Sequence, residues 1–112
     1  MNIINKHSGC TAIVLFRLGS RQLELVWCPG GAIIENHVHA NIDGTMIFLA
    51  GELHGNIAGN YGKTGWYDFG RRFSVPHGTV HGAKITGRFC LFLNWEKWTG
   101  KPTSAAIDFT AI

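Results

Sequence analysis

The sequence predicts an all-β domain with its strands closed into a barrel or two facing sheets. Three observations lead there. Apolar residues recur as short or alternating runs and not at helical spacing. Glycine, at 15 of 112 residues, cuts those runs at even intervals. Seven Phe and four Trp supply a core for a chain only 15% charged, and a closed or double-sheet architecture hides the edges that so many short strands would expose.

In chain order, "CTAIVLFRLGS" (10–20) predicts a first strand ending at Gly19-Ser20, and "RQLELVWCPGG" (21–31) a second, stopped by Pro29-Gly30-Gly31. "AIIENHVHA" (32–40) predicts a third, and "NIDG" (41–44) supplies turn residues. "TMIFLAG" (45–51) and "ELHGNIA" (52–58) follow on either side of Gly51, and "GNYGKTG" (59–65) reads as a loop. "WYDFG", "RRFSVP", "VHGAKI" and "GRFCLFLNW" complete the strands up to residue 95. The tail, 96–112, carries Pro102, small polar residues and an apolar end, and is expected to wrap the barrel or pair with a neighbouring subunit. No repeat or linker divides the chain, so 1–112 is expected to be one domain.

Composition narrows the function classes. The net charge of +3 comes from ten dispersed basic residues, with only Arg71-Arg72 adjacent, which is no stripe for nucleic acid. No apolar run approaches a membrane span, and "MNIINKHSGC" lacks the order of a secretory signal, so a cytoplasmic protein is expected. Cys10, Cys28 and Cys90, odd in number and widely spaced, read neither as a disulfide framework nor as a metal clip. Cys28 and Cys90 fit best as small buried hydrophobes.

Chemistry concentrates in "ENHVHAN" (35–41). In a strand, alternate side chains share a face, so Glu35, His37 and His39 point the same way. Two imidazoles on one face are two metal ligands, and His81 follows a Pro-x-Gly turn on a later strand. His-x-His alone is a weak signal. The spacing around it is stronger: Gly31, His37, His39 and Gly51, then Gly70, Pro76, Gly78 and His81.

These eight positions resemble the cupin family, whose motifs run G-x5-H-x-H-x3,4-E-x6-G (here 31–51) and G-x5-P-x-G-x2-H-x3-N (here 70–85). The resemblance implies a cupin-type double-stranded β-helix, a jelly-roll barrel, with His37, His39 and His81 as ligands of one divalent metal ion. Two positions depart from the family. The terminal Asn falls on Ile85, and the carboxylate ligand falls on Gly44, counted back from Gly51. Asp43, one residue away, and Glu35, on the histidine face, are the candidate substitutes; Glu35 could instead hold an imidazole by its second nitrogen.

A three-histidine set resembles that of cupin dioxygenases, so Fe(II) is the favoured ion; imidazole suits Zn, Ni or Cu as well, and Mn is a further alternative. The expected function is a dioxygenase acting on a small metal-chelating organic substrate. The alternatives are a redox-neutral isomerase, epimerase or lyase, with Glu35, His54 or Tyr67 as acid/base candidates, and a non-catalytic binding module. Met46 and Phe48 are expected as an apolar wall beside the metal. His77 is expected to be exposed in its turn, and His7 has no partner in sequence. Trp66, Arg72, Arg88, Asn94 and Trp95 are candidates for the barrel mouth, each more readily explained as core or surface. The expected partners are a small-molecule substrate and a second copy in a homodimer.

Overall fold

The computed structural model describes residues 4–112, in which 62% of the chain is strand and no helix occurs. The strands are β1 (Ile4–His7), β2 (Cys10–Leu18), β3 (Arg21–Pro29), β4 (Ile33–Val38), β5 (Ile42–Gly51), β6 (Leu53–Ile57), β7 (Asn60–Thr64), β8 (Arg72–Val75), β9 (His81–Lys84), β10 (Phe89–Trp98) and β11 (Thr110–Ala111). Two antiparallel sheets face each other, one ordered β1-β2-β3-β10-β5-β8 and the other β11-β4-β9-β6-β7. This is the double-stranded β-helix expected from the sequence. Consecutive strands hop between sheets, as β4 to β5 and β9 to β10 do, so residues far apart in sequence meet inside one barrel.

Alternation places the core. Cys10, Ala12, Val26, Cys28, Phe48, Cys90 and Phe92 turn inward from the six-stranded sheet and meet Leu53 and Ile85. Fully burying a Val, Leu, Ile or Phe side chain among these stabilises by roughly 1.5–3 kcal/mol. Ile85, 1% exposed, therefore serves packing at the position where the motif has Asn.

Gly51 marks where β5 leaves the sheet for β6. Its φ is +95°, and a Cβ there would meet the Phe89 carbonyl oxygen at 2.0 Å, so both backbone conformation and close approach require glycine.

Several local expectations are corrected. Asn60–Thr64 is a strand, not a loop, because it pairs residue for residue with β6. "WYDFG" is a loop, not a strand: the Asp68 carboxylate accepts from Gly65 N at 2.8 Å and Arg71 N donates to Asp68 O at 2.9 Å, folding the segment on itself. β5 begins at Ile42, inside the expected 41–44 turn. β10 runs on to Trp98, so the tail proper begins at Thr99. Cys10 and Cys28 form a disulfide, against the sequence reading. They stand opposite each other on β2 and β3 with Cα atoms 4.2 Å apart, a juxtaposition that register creates and linear spacing conceals. Cys90 is the free thiol among the described residues, and burial pushes it up to about 12.

Candidate metal centre

His37 lies on β4, His39 just beyond it and His81 at the start of β9. The two strands pair with His37 directly opposite His81. The turn carrying His81 is closed by Thr79 N donating to Pro76 O at 3.1 Å, with Gly78 at φ +75°. A positive φ at that position is what glycine supplies in such a turn. Gly78 N also donates to His39 O at 3.0 Å, docking the turn on the strand end that bears the other two imidazoles.

The tautomers follow from the hydrogen bonds. Nδ1–H of His37 donates to Glu35 O at 2.8 Å, and Nδ1–H of His81 donates to Thr79 O at 2.9 Å. Nδ1–H of His39 donates to the carbonyl of Asp108. A carbonyl offers no hydrogen, so each Nδ1 carries the proton and each Nε2 keeps a free lone pair. The ligand atoms of the three rings lie within 4.8 Å of one another, with Nε2 of His37 and His39 3.2 Å apart.

Two lone pairs facing each other at that distance repel unless a cation lies between them. Nitrogens that both stand about 2.0–2.1 Å from one ion are about 3.0–3.4 Å apart. The residues therefore fit a divalent metal. Proton binding is discouraged at the same place: burial, opposed only in part by the backbone hydrogen bond, pushes His37 down to about 3, and burial also lowers His81.

The C-terminal tail takes part in building this centre. Besides the Asp108 carbonyl on His39, the Phe109 ring stacks on His37 at 4.0 Å and 15° between planes, and β11 pairs with β4 at His37 and Val38. Asp108 is anchored in turn, its carboxylate accepting from Asn41 N at 2.9 Å and Asn41 Nδ2 at 3.1 Å. At its other end the segment is held by Glu24, which accepts from Ser104 Oγ and Ala105 N, both at 2.9 Å. Glu24 itself is buried beside Gln22 and Glu96. Burial, and after it the neighbouring Glu24 carboxyl, hold Glu96 well above the usual carboxylate range.

The histidines open onto a cavity of about 430 Å³ inside the barrel. Its walls are mainly apolar, among them Ile34, Met46, Leu53, Phe73 and Phe92. Met46 is thus the wall residue expected, while Phe48 is fully buried behind it in the core. Asn5, His7, Asn56, Asn94 and Glu96 add polar groups. One amide atom of Asn5 and one of Asn56 are buried without a protein partner, although Asn56 gives its other amide group to Asn36 at 3.2 Å. Buried polar atoms of that kind call for a ligand or water.

The other candidates fall elsewhere. Asp43 lies outside the cluster: its carboxylate accepts from His77 N at 2.9 Å and His77 Nδ1 at 2.8 Å, bonds that lower its pKa and point it away from the histidines. Glu35 is exposed, and only its backbone carbonyl serves the site. His54 and Tyr67 are exposed and absent from the cavity wall, Tyr67 because the loop it rides on turns outward. Trp66 is also exposed on that loop. Gly44 does line the cavity, and a Cβ there would meet nothing closer than 3.7 Å. The sequence assigned no site role to Asn56, His7 or Glu96, and it pointed to a wrapping tail without showing that the tail supports the histidines.

The barrel has the double-stranded β-helix fold of cupin domains, with three histidines grouped inside it. No family model and no curated protein matches the chain. Among solved structures it is similar to KdgF from a Halomonas species (18% identity over 87% of this chain and 86% of that one, TM-score 0.75). An RmlC-like cupin from Shewanella frigidimarina aligns at 20% identity over 89% and 86%, with a TM-score of 0.74. A structure from a study of DMSP lyases aligns at 12% identity over 92% of this chain and 52% of that one, with a TM-score of 0.72. At such identities the likeness establishes the fold.

Proposed function

We propose that this protein is a metal-dependent enzyme in which His37, His39 and His81 hold one divalent ion, Fe(II) by preference, for dioxygenation of a small organic substrate that chelates it. The observation that carries the reading is the set of three converging Nε2 lone pairs, each fixed by an Nδ1–H bond to a backbone carbonyl. A divalent ion held there would act as a Lewis acid and template, with its charge uncompensated by any ligand carboxylate.

The chain's own residues do the rest. The three imidazoles leave room for more than one exogenous donor. Apolar walls exclude water from all but the polar end of the substrate, and the amides of Asn5 and Asn56 meet a hydroxyl or carbonyl on its body. Phe109 and the Asp108 carbonyl hold two of the imidazoles in place.

A redox-neutral lyase or isomerase is the second reading. It draws support from the fold neighbours KdgF and the DMSP lyases, and from His7, Tyr61 and Glu96, which line the cavity outside the three histidines. It needs His7, Tyr61 or Glu96 as acid/base, since Glu35, His54 and Tyr67 lie outside the cavity wall.

The test is metal analysis of the purified protein, followed by oxygen uptake of the anaerobically iron-loaded form with thiols, diketones and dihydroxyaromatic acids. Near-stoichiometric iron and substrate-dependent uptake are expected. Turnover with Zn(II), Ni(II) or Mn(II) without oxygen would instead establish the second reading. Failure to bind any metal after reconstitution would sink both.

A further inference from the structure

Charge on the cavity wall is one-sided. Among the described wall residues, Arg71 alone bears a permanent cation and Glu96 alone a carboxyl group. Burial first and the Glu24 carboxyl second hold Glu96 well above the usual carboxylate range, so it stays uncharged at neutral pH. Glu24 itself is off the wall, enclosed by Ser104 Oγ, Ala105 N and the Gln22 amide. A divalent ion on the three neutral imidazoles adds two further positive charges. The filled cavity then holds cations with no anion of its own facing them.

Arg71 is placed to meet an anion from outside. Arg71 N donates to Asp68 O and Phe48 N donates to Arg71 O, both at 2.9 Å, which fixes its backbone where the chain enters β8. Its guanidinium lies 4.8 Å over the ring of Phe73, another wall residue, so the charge is held against the apolar wall. The ion pair with Asp68 is long, 3.9 Å, and the other carboxylate oxygen of Asp68 is taken by Gly65 N. A half-exposed pair of that length contributes little. The planar fork of donors is therefore left for an oxyanion, whose two oxygens it matches.

Register sets the reach. β8 pairs with β5 as Val75 beside Gly44 and Phe73 beside Met46, and Arg71 follows on the same face. Gly44 stands at the position where the motif has its carboxylate ligand. At about 3.4 Å per residue, the guanidinium is roughly 7 Å from that level when folded back on Phe73 and roughly 14 Å when extended. Met46, Phe73 and Val75 line the span between them.

Resting on the metal-dependent reading above, we propose that the substrate is an organic anion that chelates the ion at one end and pairs with Arg71 at the other, through a carboxylate or phosphate across an apolar body. Arg71 is then the residue that selects for charge. A neutral molecule of the same shape leaves the guanidinium unpaired, and a cationic one is repelled by both ends of the cavity.

The experiment is isothermal titration of the Zn(II)-loaded protein with benzohydroxamate, 4-carboxybenzohydroxamate and 4-phosphonobenzohydroxamate, each of which chelates zinc at the end opposite its added charge. The wild type is expected to bind at least one charged probe about tenfold or more tighter than the neutral one, as charge-assisted pairing to a guanidinium implies. Whichever charged probe gains more tells carboxylate from phosphate. Arg71→Gln is expected to remove most of that preference while leaving the affinity for benzohydroxamate unchanged, and Arg71→Lys to restore part of it. Arg72→Gln, exposed and off the wall, is expected to keep the full preference. A wild type that binds all three probes alike or none of them would overturn the inference and leave the metal reading standing, as would a preference that survives Arg71→Gln. Failure to bind Zn(II) would overturn the metal reading and the inference with it.

Discussion

His37 carries two roles that pull in opposite directions, and its neighbours decide between them. Its Nδ1 proton is committed to Glu35 O and its ring is sandwiched against Phe109, so only Nε2 is free to bind a cation or a proton. Burial favours the uncharged ring, which holds it down to about 3 from an ordinary 6.5. The unfolded chain therefore takes up a proton at a pH where the folded one does not. Stability of the metal-free protein is full above about pH 6.5 and declines as pH falls from 6.5 towards 3. Urea denaturation of metal-free protein at pH 7, 5.5 and 4.5 is expected to give falling midpoints, with His37→Gln flattening the slope.

At the same scale, Gly44 opens a space where the motif has a carboxylate. Gly44→Glu is expected to tighten Zn(II) or Mn(II) binding at least tenfold, read by competition with a chelating dye. His81→Ala is expected to abolish stoichiometric binding. Gly51→Ala places a methyl on the Phe89 carbonyl at a positive φ. It is expected to cost at least about 1–3 kcal/mol, read from the same urea transitions.

Among elements, the tail shows how much a short irregular segment can contribute. Residues 104–109 run from the buried Glu24 to the rings of His37 and His39, so one segment ties the acid cluster of one sheet to the metal centre of the other. Removing residues 104–112 leaves Nδ1 of His39 without its carbonyl and uncovers His37. A 10- to 100-fold loss of metal affinity is expected, the range typical for loss of groups that orient metal ligands. Phe109→Ala, which keeps the Asp108 carbonyl, is expected to lose less, and isothermal titration of both variants with Zn(II) separates the contributions.

The disulfide joins β2 to β3 next to this core. Closing a loop of similar length contributes about 3 kcal/mol in the chain-entropy account, so reduction is expected to lower the thermal midpoint, and intact-mass measurement before and after alkylation checks the bond.

For the whole molecule, a preformed centre inside a closed barrel means that metal binding and folding are linked. An ion that binds the folded chain at 100 times its dissociation constant adds about 2.7 kcal/mol. For a domain of this size that corresponds to a rise of roughly 10 °C in Tm, which scanning calorimetry with and without chelator measures. Neither sheet would hold the centre alone. The five-stranded sheet carries His37 and His81, but the cavity wall is completed by Met46 and Phe92 from the other. No helix is long and apolar enough to cross a membrane among the described residues.

What the sequence determined by itself is local or periodic. Alternation of apolar residues marked most strands, because every second side chain of a half-buried strand must be apolar. The glycine and proline positions marked the turns, because few other residues accept those dihedrals. The resemblance of eight residues, at their spacing, to the cupin motifs then implied the fold and the three imidazoles that the structure brings together. What the tertiary structure alone decided is everything that depends on cross-strand register or on a free polar group's choice of partner. Cys10 meets Cys28, Asp43 turns to His77, Asp108 reaches His39 over 69 residues of chain, and Asn56 rather than His54 faces the cavity. A carboxylate near a histidine in sequence takes whichever donor the folded backbone brings closest, and no linear spacing specifies which one that is.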